Sequence, residues 1–239
     1  MSIFRQEQYV CQACGFNMIG YFPDNCPFCG ASKEIFITAK ECSNRYTVVE
    51  QKVNETVTCL NSDPSFGLEH NAFKIEMDNK IIWIDCPSTF NKAMDSFHIN
   101  LFTHHHFIAA ANLYKNYFSS EMWIHHEDSN NYIANKYEFD NLFNSDFKLG
   151  GIKAFPIDGH TSGFTAFIFE ECLFICDYIF IKSNTVKFNP YGSYSATLKG
   201  GKQLKKIIEK ERLRFVCGYN YVLNFDSWNT KFLKLLRNA

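Results

Sequence analysis

The sequence predicts an α/β protein in two parts, a small metal-binding domain over residues 1–40 and a larger sheet-based domain over residues 41–239. Three observations carry this. Two cysteine pairs stand close together near the N-terminus. Downstream, short apolar runs of strand length end repeatedly on a histidine or an aspartate. Near the C-terminus, apolar residues recur at helical spacing. With 46% hydrophobic residues, among them 25 Phe, the longer part can build its own core.

The cysteine pairs are Cys11-Gln12-Ala13-Cys14 and Cys26-Pro27-Phe28-Cys29, eleven residues apart and each followed at once by a glycine, Gly15 and Gly30. A C-x-x-C-G turn aims two thiolates at one point, and its glycine lets backbone N–H groups face the sulfurs. Two such turns enclose one tetrahedral ion, iron or zinc. Disulfides are opposed by two facts. The segment Met1-Ser2-Ile3-Phe4-Arg5-Gln6-Glu7-Gln8 lacks the apolar stretch of a secretory signal, which predicts a cytoplasmic chain. The other six cysteines (Cys42, Cys59, Cys86, Cys172, Cys176, Cys217) lie in apolar stretches, as reduced buried thiols do. Tyr9 to Phe16, then Pro23, then Cys26 to Phe36 resemble the short-loop rubredoxin module of rubrerythrins over about forty residues. That resemblance implies one iron passing single electrons, although a zinc ribbon shares the ligands.

A net charge of −1 without Lys/Arg runs excludes a nucleic-acid surface, and no apolar stretch approaches the roughly 20 residues of a membrane span. There is no internal repeat and no Gly/Ser linker, so the knuckle is expected to pack on its neighbour.

The larger domain opens with strands at Tyr46–Val49, Thr56–Leu60, Ala72–Met77 and Ile81–Ile84. Asp78-Asn79 reads as a hairpin turn, and the fourth strand ends at Asp85. Ile99–Phe102 runs into Thr103-His104-His105-His106 and a helix from Phe107 to Phe118. A strand at Met122–Ile124 and a short helix near 131–136 follow. Ile152–Ile157 then leads into Asp158-Gly159-His160-Thr161-Ser162-Gly163, and Thr165–Phe169 and Cys172–Cys176 form a hairpin ending at Asp177. Leu204, Ile207 and Ile208 mark a helix, Arg214–Cys217 a last strand, and Trp228, Phe232, Leu235 and Leu236 a closing helix capped by Asp226.

His104, His106, His160 and Asp177 thus fall just past apolar strands, on one rim of the sheet core. Imidazole and carboxylate suit zinc, iron or manganese. Asn71–Asp85, Thr103-His104-His105-His106, Asp158 to Gly163 and Phe174 to Phe180 resemble, in order and interval, the hairpin, T-H-x-H-x-D-H, P-G-H-T-P-G and strand-end aspartate segments of metallo-β-lactamase-fold proteins. The resemblance runs from about residue 45 to the C-terminus and implies an αββα sandwich. It also implies metal ligands at His104, His106 and His160, with Asp177 at the position that bridges two metals. The second-metal ligands fall at Ile108, Ala109 and the Gly218-Tyr219-Asn220 turn. Ile and Ala offer no lone pair, so one ion is expected, iron, zinc or manganese. Asp85 resembles the aspartate that orients ligands, and Tyr219 either donates into the pocket or is core. His105 is expected to face away from the ion. His125 and His126, with Glu127 and Asp128, read as a solvated helix entrance, and Cys176 as space-filling.

Two function classes follow. The first is an oxidoreductase in which the rubredoxin-like iron feeds a mononuclear metal that reduces a small oxidant, with Asp177, Tyr219 and Asp85 at its centre. The ligand set resembles that of iron or manganese superoxide dismutases. The second is a metal-dependent hydrolase of an ester, thioester or phosphoester, which uses a metal-activated water. A degenerate, non-catalytic metal-binding protein is the third reading. The expected partners are a small-molecule substrate or oxidant and a redox-protein donor, in a single chain or a homo-oligomer, with no nucleic acid and no membrane.

Overall fold

The computed structural model describes residues 7–77, 80–182 and 185–239. The chain forms two compact units. The first runs through Asn100 and adds His106–Glu121 and Lys136–Glu138.

In the first unit, β1 (Gln8–Cys11), β2 (Asn17–Ile19) and β3 (Phe36–Thr38) form an antiparallel sheet in the order β2-β1-β3. The two C-x-x-C turns hang from this sheet. Helix α1 (Ala39–Arg45) starts on a capping box, in which the Thr38 side chain accepts from the Glu41 N–H and the Glu41 carboxylate accepts from the Thr38 N–H. Val10 and Ile37 of this sheet share one apolar cluster with Cys42 and Phe66. Asn17 also donates to the Ser88 carbonyl at 3.1 Å. A sheet this small buries too little surface to stand alone, and these contacts supply the missing burial.

Strands β4 (Thr47–Lys52), β5 (Val57–Asp63), β6 (Ala72–Met77) and β7 (Lys80–Ile84) pair antiparallel in sequence order. The expected Asp78-Asn79 turn lies outside the described residues. Strand β8 (Ile99–Leu101) follows, wholly buried and apolar but for Asn100. Helix α2 (Ala111–Phe118) begins four residues later than its apolar pattern suggests. A single 3-10 turn covers His105–Phe107, and Ala109 sits at φ +48°, where no helix propagates.

The second unit comprises Leu101–His105, Met122–Asn135 and Phe139–Ala239. Strand β9 (Glu121–His125) leads into the short helix α3 (His126–Ser129), earlier than expected, with a 3-10 turn at Ala134–Lys136, and β10 (Asn141–Phe143) pairs parallel with β9. Strands β11 (Phe147–Leu149), β12 (Ile152–Pro156), β13 (Thr165–Phe169) and β14 (Cys172–Cys176) form an antiparallel run. A two-stranded ribbon, β15 (Ile179–Lys182) with β16 (Thr185–Phe188), precedes α4 (Tyr194–Ile208). Strand β17 (Phe215–Gly218) then pairs parallel with β14 and antiparallel with β18 (Tyr221–Asn224), completing a sheet in the order β11-β12-β13-β14-β17-β18. Every residue of β13 and β14 is buried, which explains their continuous apolar runs. Helix α5 (Phe225–Asn238) closes the chain and buries Phe225, Trp228 and Phe232. Its cap is Asn224 and not Asp226, because the Asn224 side chain accepts from the Ser227 N–H while Asp226 already lies in the first turn. No helix among the described residues is long and apolar enough to cross a membrane.

The knuckle glycines give a discriminating test. Gly15 and Gly30 have φ of +76° and +75°, but a Cβ at Gly15 would lie 2.2 Å from Ser88 Oγ, whereas at Gly30 nothing lies within 4 Å. Gly30→Ala therefore carries only left-handed backbone strain, about 1–2 kcal/mol, and Gly15→Ala adds a collision. Denaturant unfolding should show Gly15→Ala as the more destabilised of the two by at least about 1 kcal/mol. Equal losses would refute the packing of this turn against Ser88.

Candidate metal centres

Cys11, Cys14, Cys26 and Cys29 form one cluster, and all four are free thiols. The Sγ atoms of Cys11 and Cys29 are 3.7 Å apart, as are those of Cys14 and Cys26. A disulfide needs about 2.05 Å. A tetrahedron with metal–sulfur bonds of about 2.3 Å has edges of about 3.8 Å, so the spacing fits four ligands on one ion. The turns are built for it: the Gly15 N–H donates to the Cys11 carbonyl at 2.8 Å, and the Gly30 N–H to the Cys26 carbonyl at 2.9 Å. The crowded sulfurs perturb one another. Hydrogen bonds from Cys11 and Cys14 pull the Cys26 thiol down to about 2, and hydrogen bonding to Cys11 and Cys26, with burial, pushes Cys14 up. A bound cation removes this competition by taking all four as thiolates.

The second cluster joins residues distant in sequence. The donor atoms of His104, His106, His160 and Asp177 all lie within 4.8 Å of one another. His104 follows β8, His160 follows β12, and Asp177 ends β14. Asp177 Oδ1 lies 3.4 Å from His104 Nε2, and Oδ2 lies 3.4 Å from His160 Nε2. For metal bonds of about 2.1 Å a tetrahedral edge is about 3.4 Å, so these are the separations of ligands around one ion. Ring orientation agrees. His160 Nδ1 donates to the Tyr191 carbonyl at 2.7 Å, which leaves its Nε2 lone pair facing Asp177. His104 Nδ1 lies 3.0 Å from Thr103 Oγ1, so the same tautomer is available there.

Asp177 carries the strongest sign that this cluster is a cation site. Its side chain is 4% exposed, Oδ2 accepts from Asn189 Nδ2 at 3.0 Å, and Oδ1 has no hydrogen-bond partner. Burial raises its carboxyl above the usual range, and the electrostatic influence of the nearby His160 ring only partly offsets that. A buried carboxylate oxygen without a hydrogen bond is costly, and a metal ion held by this cluster would satisfy it.

The backbone around the site is strained. Asp85 after β7, Asp158 before His160, and Cys176 before Asp177 have φ of +56°, +57° and +39°. Non-glycine residues adopt this region rarely, and such positions concentrate at functional sites. Cys176, which the sequence suggests merely fills space, is thus also the bend that aims Asp177. Asp85 is buried at the end of its strand. Its neighbour Cys86 anchors the same segment, through a carbonyl 2.8 Å from His70 Nε2.

Ile108 and Ala109, to which the sequence resemblance assigns the place of a second ion's ligands, are 1% and 6% exposed. They do not start helix α2, because Ala109 is left-handed and its carbonyl accepts from the Tyr137 hydroxyl at 2.9 Å. Tyr219 is buried, with its N–H donated to the Cys176 carbonyl at 2.7 Å and its ring 5.8 Å from that of Phe180.

The solvated helix entrance is corrected by the structure. His126 and Glu127 are exposed, but His125 and Asp128 are buried. His105 hydrogen-bonds Asp128 through Nδ1, and Thr161 Oγ1 donates to the other Asp128 oxygen at 2.9 Å. A polar His-His-Glu-Asp run gives no periodic signal of burial, which is why sequence reasoning misses it.

One contact brings the two clusters' elements together. Phe28, inside the second C-x-x-C turn, meets the His106 ring edge-on at 6.1 Å between centroids and the Phe107 ring at 5.8 Å. Its other face stacks on Phe16 at 6.1 Å, and Phe107 stacks on His70 at 4.1 Å.

No family model and no curated protein matches the chain. Solved structures do. A metallo-β-lactamase from Pontibacter korlensis superposes with a TM-score of 0.61 at 11% identity, covering 81% of this chain and 100% of that one. The DIM-1 metallo-β-lactamase exposed to ceftazidime gives 0.60 at 13% identity, over 80% and 97%. An archaeal metallo-β-lactamase superfamily protein from Sulfolobus tokodaii gives 0.53 at 12%, over 70% and 80%. The chain has the metallo-β-lactamase fold, with a four-cysteine knuckle in its N-terminal segment.

His106→Ala should cost one ion per chain and leave the four-cysteine ion in place, as read by elemental analysis and by cobalt absorption. Loss of neither ion would remove His106 from the ligand set. Because a ligating Asp177 must be ionised and burial raises its carboxyl, the site's metal affinity should fall with pH earlier, at higher pH, than an exposed carboxylate would dictate. A metal-binding curve flat down to pH about 4 would contradict this.

Proposed function

We propose that the protein is an iron-dependent oxidoreductase in which the four-cysteine site passes single electrons to one ion held by His104, His106, His160 and Asp177. The observation that carries this reading is Phe28: a residue enclosed by two cysteine ligands packs its edge on a candidate ligand of the other centre. Iron in both sites supplies one-electron chemistry at each. The chain's residues do the rest. Phe28 places an aromatic ring in the short gap from Cys26 and Cys29 to His106. Asp177 would supply the negative charge opposite the second ion and His160 a neutral imidazole ligand, while Asp85 is a buried carboxylate at the end of β7. By the sequence resemblance Ile108, Ala109 and Tyr219 fall at the positions of another ion's ligands, and Ile108 and Ala109 offer no lone pair, which supports a mononuclear centre. With iron held by both clusters, the knuckle would relay one electron for each that a redox-protein donor supplies, and a small oxidant would accept it. With peroxide as oxidant, two such transfers and two protons give two waters. Cytoplasmic redox chemistry of this kind needs no nucleic-acid or membrane partner.

A second reading is a metal-dependent hydrolase. Its support is the fold of the superposed structures, several of which are metallo-β-lactamases, together with the general ability of one ion to lower a bound water's pKa to about 7.

Anaerobically purified protein separates the two. Under the redox reading both sites contain iron, the knuckle bleaches on dithionite reduction, and peroxide or dioxygen restores its colour in a stopped-flow trace. Phe28→Ala should slow that recovery by about tenfold while leaving the knuckle spectrum intact. Zinc in both sites with turnover of an ester would establish the hydrolase instead.

A further inference from the structure

We infer that Asp128 is a positioning residue that clamps the two ligand-bearing loops to each other, so that its carboxylate sets the geometry of the histidine–aspartate centre without touching the ion. Its side chain is 1% exposed. One oxygen takes the His105 Nδ1 hydrogen bond, and the other accepts from Thr161 Oγ1 at 2.9 Å. His105 stands between the ligands His104 and His106, and Thr161 directly follows the ligand His160. One carboxylate, carried by α3 and belonging to neither loop, therefore fixes the neighbours of three ligands.

The surroundings are shaped for that carboxylate. Helix α3 is held at its start by His125, whose Nδ1 accepts from the Glu127 N–H at 3.2 Å, and this presents Asp128 one turn later toward the loops. Gly163 ends the His160 loop, and a Cβ there would sit 2.5 Å from Asp128 Oδ2 and 2.6 Å from His125 Nδ1. Only a glycine lets the loop come this close. A backbone tie runs in parallel, with the Thr165 N–H donating to the Thr103 carbonyl at 2.9 Å. Without the carboxylate this tie still joins the loops, but the hydrogen bonds that Asp128 makes to His105 and Thr161 are lost, and with them the link between the residue flanked by His104 and His106 and the residue that follows His160. Buried, fully paired carboxylates of this kind are stiff, because each broken hydrogen bond leaves a polar group without water.

The inference holds whichever ion is bound and whichever reaction follows. Its test is a cobalt(II) titration of the full-length protein after chelator treatment, followed by d–d absorption, with the four-cysteine site as internal reference through its thiolate charge-transfer bands. Asp128→Ala should weaken cobalt binding at the histidine–aspartate centre by about tenfold or more and broaden its d–d spectrum, with the thiolate bands unchanged. Asp128→Asn, which keeps one acceptor, should recover part of the loss. Thr161→Val and His105→Gln should each weaken binding less than Asp128→Ala and act non-additively with it. If Asp128→Ala does not fold, as judged by the thiolate bands, the two milder variants decide. Wild-type cobalt affinity and spectrum in Asp128→Ala, or in both Thr161→Val and His105→Gln, would overturn the clamp.

Discussion

The constraint on which the site depends is the buried Asp177 carboxylate. It ends a strand whose every residue is buried, it has one oxygen paired with Asn189, and it faces two imidazole nitrogens at 3.4 Å. Those separations are too long for strong hydrogen bonds and right for the edges of a coordination shell. A core of this kind tolerates a carboxylate only if a compensating charge accompanies it. The strained bend at Cys176 and the Tyr191 carbonyl that fixes the His160 tautomer both make sense as preparation for a cation.

The four-cysteine cluster obeys the same logic with softer ligands. Sulfurs 3.7 Å apart, crowded enough to drive one thiol pKa to about 2 and others upward, describe a cage with an internal charge conflict. Its small sheet shares an apolar cluster with Phe66 and is hydrogen-bonded through Asn17 to Ser88. The knuckle is therefore tied to the chain beyond it. The Phe28 edge on His106 then gives the attachment a direction, from cysteine turn to histidine loop.

Much of this was legible in the sequence because the relevant features are short and local. Paired C-x-x-C-G turns specify their own geometry, and an apolar run that stops at His104, His160 or Asp177 already marks a strand end pointing somewhere. What failed was whatever depended on tertiary context. Helix α2 starts late because Ala109 takes a left-handed conformation and its carbonyl is captured by Tyr137, a residue 28 positions away. The last helix is capped two residues before Asp226, since the Asn224 side chain accepts from the Ser227 N–H and Asp226 already lies in the first turn. Short strands such as β10 and β11, three residues each, lack the length to show a period. Asp128 was read as solvated because charged residues usually are. Its burial becomes visible only once His105 and Thr161, 23 and 33 residues distant, are seen to converge on it.

The residues of the histidine–aspartate cluster bear on chemistry more than the fold does. A fold shared at 11–13% identity constrains architecture and leaves chemistry open. Ile108 and Ala109 are both buried, and neither side chain offers a lone pair to an ion. The donors gathered in the cluster are three imidazoles and one carboxylate, a set that suits zinc, iron or manganese and does not choose between them. Phe28, inside a C-x-x-C turn, has its ring 6.1 Å from that of His106, so the aromatic tip of the cysteine turn packs on a member of that donor set.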